Sequence, residues 1–226
     1  MSRYHARRSR LLGAAGVVLL IAAVIALVSG VRAQRHAPQP PPAAASPVAV
    51  TPRSPQVHPS SRSATTHGPI LTRSSPTRLD VPAIGVHTSL LRIGLTASGL
   101  IQTPPLGPDS HAYWLTASPT PGQLGPATII GHVDSAANGP AVFFRLGALR
   151  PRDSIAVTRA DGTVAEFTVE RVVEYPKAQF PTQAVYGNLD HAGLRLITCG
   201  GIFNASQHSY ESNIVVYASL VSTHRA

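Results

Sequence analysis

Residues 11–29, LLGAAGVVLLIAAVIALVS, carry no charge and no strongly polar group before the final Ser, and this run decides how the rest of the chain can be divided. Nineteen residues at 1.5 Å each make a helix of about 28 Å, close to the ~30 Å hydrocarbon core of a bilayer. A helix lying on a soluble core would show a polar stripe at period 3.6, and this run shows none. The ten residues before it, MSRYHARRSR, hold four Arg and no acid, which predicts a cytoplasmic N-terminus and an external C-terminal part. The competing reading is a cleaved signal peptide, with Val31-Arg32-Ala33 as a small-residue cleavage site. The apolar run is longer than a usual signal-peptide core and favours a retained single-pass anchor.

The charge distribution supports this division. The chain has 226 residues, 19 Lys+Arg against 10 Asp+Glu, and a formal net charge of +9, which taken whole suggests a binder of nucleic acid or of a membrane surface. Residues 1–75 hold nine Arg and no acid, whereas residues 76–226 balance ten basic residues against ten acidic ones. The excess therefore belongs to the N-terminal third, and no nucleic-acid partner is expected of the remainder. Residues 30–75 are rich in Pro, Ser, Thr and Ala and nearly free of large apolar side chains. Such a segment buries too little surface to offset its ordering entropy, so it reads as a disordered, semi-rigid spacer. Its five Arg are the place to look for contact with an acidic polymer or lipid headgroups.

Residues 76–226 are long enough for one core, and their pattern is short β-like runs between turn signals. Candidate strands are Arg78–Ile84, Ser89–Arg92, Ala112–Leu115, Ala127–Gly131, Ser154–Arg159, Val164–Val173, Leu194–Cys199 and Asn213–Leu220. Asp161-Gly162 lies between two of them and marks a hairpin. One helical stretch is expected over Ala141–Leu149. About eight short strands with few helices predict an all-β barrel or sandwich.

The single Cys excludes an intrachain disulfide framework and leaves either an inert buried residue or a reactive thiol. Cys199 ends an apolar run and is followed by Gly200-Gly201, which let the backbone turn sharply and let another chain approach closely. A thiol nucleophile needs a base or a lowered pKa. Among ten His, His132 follows Thr128-Ile-Ile-Gly, a second apolar strand ending in Gly. Two such strands could converge at one rim of a barrel. His87, His111, His191 and His208 are the competitors, each with an ordinary surface or core role as its bland alternative.

Gly131-His132-Val133-Asp134, then Phe143–Leu149, Leu196-Ile197-Thr198-Cys199 and Asn213-Ile-Val-Val-Tyr-Ala, resemble the sortase family in their order. Arg78-Leu-Asp-Val-Pro-Ala-Ile-Gly-Val resembles its first strand, and Gly200-Gly201 looks most like the small actinobacterial class F or class E members. The resemblance spans roughly residues 76–221. It implies an eight-stranded sortase-like β-barrel with short helices, acting as a cysteine transpeptidase on the outer face of the membrane. It further implies cleavage of an LPxTG-like sorting signal, an acyl-thioester on Cys199, and transfer to an amine of the cell wall. Its partners would be surface proteins bearing sorting signals and a peptidoglycan precursor or other amine acceptor.

Carried over residue by residue, Cys199 is the nucleophile, His132 the general acid/base and Thr198 a residue that shapes the site. The family's active-site Arg is missing from the last strand. Asn213 aligns there, able to donate a hydrogen bond but without positive charge. Arg195, four residues before Cys199 and on the same strand face, is the possible substitute, against an ordinary strand-surface role. Asp134 either orients His132 or caps the next turn, the latter being preferred. Trp114 and Tyr113 read as core residues. No His/Cys/Asp/Glu spacing suggests zinc and no calcium loop is present, so neither metal nor cofactor is expected. The missing Arg keeps a second reading open: a sortase-like barrel that binds wall or pilin peptides without turnover.

Overall fold

The computed structural model describes residues 37–41, 66–107 and 109–226; the expected anchor over 11–29 lies outside them. Ten strands follow in order: β1 (Pro76–Val81), β2 (Val86–Ile93), β3 (Ala112–Leu115), β4 (Gly125–Ile130), β5 (Asp134–Ser135), β6 (Gly139–Pro140), β7 (Ser154–Arg159), β8 (Thr163–Pro176), β9 (Ala192–Asn204) and β10 (Ser209–Arg225). Eight of them close into a barrel in the order β1-β2-β3-β4-β9-β10-β8-β7, while β5 and β6 form a separate two-stranded ribbon. Each of the eight expected strands overlaps one strand of the barrel. The β5–β6 ribbon was not expected, because two-residue strands leave no periodicity to read.

The local chemistry explains the joints. The β7–β8 hairpin turns through three residues, with Gly162 in the left-handed region at φ 77° and its N–H donating to Arg159 O. Asp161 Oδ1 accepts from both the N–H and the hydroxyl of Thr163 and fixes the turn. The expected helix over Ala141–Leu149 is replaced by tight turns and one 3-10 turn at Leu146–Ala148. Its hydrogen bonds skip three residues rather than four, as in Phe144 N–H to Ala141 O and Leu146 N–H to Phe143 O. Gly147 lowers helix propensity there, and Phe143 and Leu146 still reach the core.

The barrel interior holds Leu79, Trp114, Ile129, Phe143, Ile155, Phe167, Leu194, Leu196 and Val216 among others, all fully or nearly fully buried. Trp114 donates its indole N–H to Pro119 O at 3.0 Å, and Tyr113 is buried as well. A second, smaller core lies outside the barrel wall. There Ile197, Val215 and Tyr217 meet Val185 of a single helical turn, α1 (Thr182–Tyr186), with Phe180, Tyr175 and Tyr186 around them.

The barrel begins before Pro76. Leu71 N–H donates to Gly122 O, Ser74 N–H to Thr120 Oγ1, and His67 N–H to Asp190 O. Arg159 is buried at 3% exposure and donates to Thr72 O and to Thr163 Oγ1, with Asp161 Oδ2 at 3.5 Å. Residues 66–75, which composition assigns to the spacer, are thus tied to the barrel without forming a strand of it. Their ties are mostly backbone and polar, so no apolar pattern announces them.

Replacing Arg159 with Ala strips the Thr72 carbonyl of a charged donor and leaves a void beside it. The expected loss is about 2–4 kcal/mol of stability, read as a lower thermal midpoint together with faster amide exchange over residues 70–75.

Candidate active site

The site is set by the pairing of β4 with β9, which is parallel and in the register Ala127↔Leu194, Ile129↔Leu196, Ile130↔Ile197. Parallel neighbours end at the same rim. The ladder closes with Gly131 N–H donating to Ile197 O at 3.1 Å. One residue past Gly131 stands His132, and two past Ile197 stands Cys199, on strands about 4.8 Å apart. Two separate sequence signals, a Gly before His132 and a Gly pair after Cys199, are therefore brought to the end of one ladder, although β9 itself runs on to Asn204.

The glycines earn this geometry. A Cβ on Gly131 would lie 2.7 Å from Val142 Cγ1 and 2.8 Å from Phe143 Cδ2. One on Gly200 would lie 2.6 Å from Ile214 Cγ1, and Gly201 sits at φ 75°. The chain that approaches the Gly pair is a piece of the N-terminal segment: Gly201 N–H donates to Gln39 Oε1 at 3.1 Å. Pro38 O lies against Gly147, where a Cβ would come within 2.2 Å of it, and Pro40 is buried.

Cys199 is a free, half-buried thiol. His132 is also half-buried, with Nε2 2.9 Å from Pro104 O. A carbonyl only accepts, so Nε2 carries the proton in this bond and Nδ1 is the nitrogen left for other partners. Next to His132 is a pocket lined by Pro105, Leu106, Ser110, His111, Ser135 and Asn138. The competing histidines are engaged elsewhere or differ in setting. His87 Nδ1 meets Asp80 at 2.8 Å and His191 Nδ1 meets Asp190 at 2.9 Å. His208 is exposed in the β9–β10 turn, and His111 lines the pocket with a buried Nδ1 that has no hydrogen-bond partner.

The remaining sequence-derived residues separate. Asn213 lies directly across the β9–β10 ladder from Cys199, so the two side chains share a face at cross-strand distance. Thr198 faces the other way: it is 3% exposed, opposite Ile214 of the barrel core, and its hydroxyl is buried without a partner. Arg195 shares the Cys199 face but turns back. Its Nη1 donates to Leu194 O and lies against Gly193, its Nε donates to Val185 O, and its guanidinium stacks 4.5 Å over the Tyr217 ring. Burial lowers its pKa, and Arg171 lies over the same ring at 3.9 Å. Arg195 is thus neither a surface residue nor aimed at the thiol; it belongs to the second core.

Asp134 does not cap the turn. Ser135 Oγ does so, accepting Asn138 N–H at 3.0 Å. The Asp134 carboxylate instead accepts the hydroxyl of Tyr210, from the start of β10. Tyr210 was not singled out from the sequence, and an aromatic three residues before Asn213 was the available sign. Among the described residues, no group of three or more His, Cys, Asp or Glu is placed to hold a metal, and no helix is long and apolar enough to cross a membrane.

A closed barrel with a Cys and a His just past the last rung of one parallel ladder defines a thiol-centred β-barrel protein. The Sortase domain model matches residues 79–221, more than half of the chain, and the chain belongs to the sortase family. It is similar to sortase A of Listeria monocytogenes at 17% identity and a TM-score of 0.50, covering 69% of this chain and 92% of that one. Sortase C-1 of Actinomyces oris is similar at 16% identity and a TM-score of 0.51, with 65% and 73% covered. A lid mutant of Corynebacterium diphtheriae sortase A is similar at 19% and 0.50, with 67% and 73% covered. At these identities the likeness is one of fold. No curated protein sequence matches the chain.

Thr198→Val removes a buried, unpartnered hydroxyl at constant shape. It should leave stability unchanged or raise it by up to about 1 kcal/mol in denaturant titration. A clear loss would show that the hydroxyl has a partner in solution.

Proposed function

We propose that the chain is a membrane-anchored cysteine transpeptidase that cleaves an LPxTG-like sorting signal and passes the acyl group to a cell-wall amine. The observation that carries this reading is the joint placement of Cys199 and His132 at one barrel rim in a member of the sortase family. His132 takes the Cys199 thiol proton as the sulfur attacks the Thr carbonyl of the signal, then delivers it to the departing amine as the C–N bond to Gly breaks. The thioester on Cys199 then meets the incoming amine, which loses its proton to His132 as the C–S bond breaks. Asn213, facing Cys199, is the side chain placed to donate a hydrogen bond to the oxyanion. The uncharged, apolar run at 11–29 supports a single-pass anchor with the barrel outside, and the Gly pair after the Cys supports a class F-like or class E-like member.

The second reading is a barrel that binds wall or pilin peptides without turnover. Two observations favour it: Asn213 where the family has Arg, and Arg195 turned into the second core. Intact-mass analysis after mixing with a sorting peptide separates the two, because only turnover leaves an acyl adduct on Cys199.

The adduct should be absent in Cys199→Ala, and His132→Ala should slow its formation by about 10²–10⁴. Adduct formation in Cys199→Ala would sink the transpeptidase reading. Asn213→Ala is expected to lower turnover by about 10²–10³. Arg195→Ala should instead lower the thermal midpoint and leave turnover per folded molecule near wild type. The reverse pattern would reassign the anion-stabilising role to Arg195.

A further inference from the structure

The β4–β9 ladder ends at Ile130 and Ile197, with one last bond from Gly131 to Ile197. His132 lies past it on the 131–141 stretch, while Cys199 lies past it within β9, paired there with Asn213 of β10. Among the described residues, one side-chain hydrogen bond joins the stretch 131–141 to the β9–β10 hairpin. It runs from the Tyr210 hydroxyl to Asp134 Oδ2. Asp134 is two residues from His132 and begins the β5–β6 ribbon, so it moves as a unit with the His-bearing loop. Tyr210 is well supported on its side. It pairs with Phe203 across the hairpin, and the two rings pack edge to face with centroids 5.1 Å apart at 65°. A register shift lies between Tyr210 and Ser212, opposite Gly201 in its left-handed conformation. Such bulges re-aim a side chain.

We infer that Tyr210 is a positioning residue: through Asp134 it clasps the loop that carries His132 to the hairpin that carries Cys199. The electrostatics agree. Burial, the bond to Asp134 and the nearby Cys199 all push the Tyr210 phenol above its ordinary range. It therefore stays a neutral donor at neutral pH. The catalytic meaning of the clasp rests on the reading of Cys199 as nucleophile above, so the test begins with a measurement that needs no substrate.

The rate of Cys199 alkylation by iodoacetamide at neutral pH is compared in the full chain, Tyr210→Phe, Asp134→Ala, Asp134→Asn and the Tyr210→Phe/Asp134→Ala pair, each with its thermal midpoint. Sorting-peptide kinetics follow on the same set. Tyr210→Phe and Asp134→Ala should each slow alkylation and kcat by about tenfold, with KM unchanged. The double variant should be no slower than the slower single one, since both remove one bond. Asp134→Asn offers an amide oxygen to the same hydroxyl and should stay within about twofold of wild type.

Wild-type alkylation in Tyr210→Phe overturns the inference. So do losses that multiply in the double variant, or an Asp134→Asn as slow as Asp134→Ala. Should Tyr210→Phe fail to fold, the Asp134 pair decides alone. The expected alkylation pattern without any peptide adduct in wild type upholds the clasp and rejects the transpeptidase reading.

Discussion

The parallel pairing of β4 with β9 is the constraint on which the rest of the molecule depends. Parallel strands cannot be joined by a hairpin, so the chain must travel from Ile130 through β5 to β8 and the α1 turn before β9 can lie beside β4. That excursion supplies β7 and β8, closes the barrel through β1, and leaves the second core on the wall outside β9 and β10. The ladder also fixes which face each residue presents. A slip of one residue would turn Cys199 into the barrel and Thr198 out of it. The reactivity of the rim thus rests on the packing of Leu194, Leu196 and Ile129 well below it.

Much of the barrel could be read from residues alone, because strands carry their pattern locally. Alternation located Ser154–Arg159, a short apolar run between turn signals located Ala112–Leu115, both at their observed bounds, and Asp161-Gly162 marked the β7–β8 hairpin. His132 and Cys199 were legible for a different reason: each follows or precedes Gly at the end of an apolar run, a local sign of a strand reaching a rim. What stayed hidden depends on partners distant in sequence. The Arg195 side chain could be assigned a face but not a direction along it, since Val185 and Tyr217 decide that. The Tyr210–Asp134 bond spans 76 positions and has no composition signature. Residues 66–75 look like spacer because their hold on the barrel is by backbone and by one buried Arg.

Positive charge is distributed in an unexpected way. Two guanidiniums, the exposed Arg171 and the buried Arg195, lie over the Tyr217 ring. There they gain from the ring's negative face. The face of Cys199 meets instead the neutral Asn213. Across the ladder from Cys199 stands an amide dipole rather than a cation. Dipoles stabilise a transient charge only when held in place before it forms, which makes rigidity the scarce quantity here.

The strand that bears the thiol is gripped at both of its ends by chain that precedes the barrel. His67 N–H holds Asp190 O just before β9 starts, and Gln39 Oε1 holds Gly201 N–H near its finish. The segment ahead of β1 thus touches the barrel at Gly147, through Pro38, and at Gly201, two residues past the single Cys. Two pieces of chain distant from each other in sequence therefore share one strand, and the thiol lies between their points of attachment.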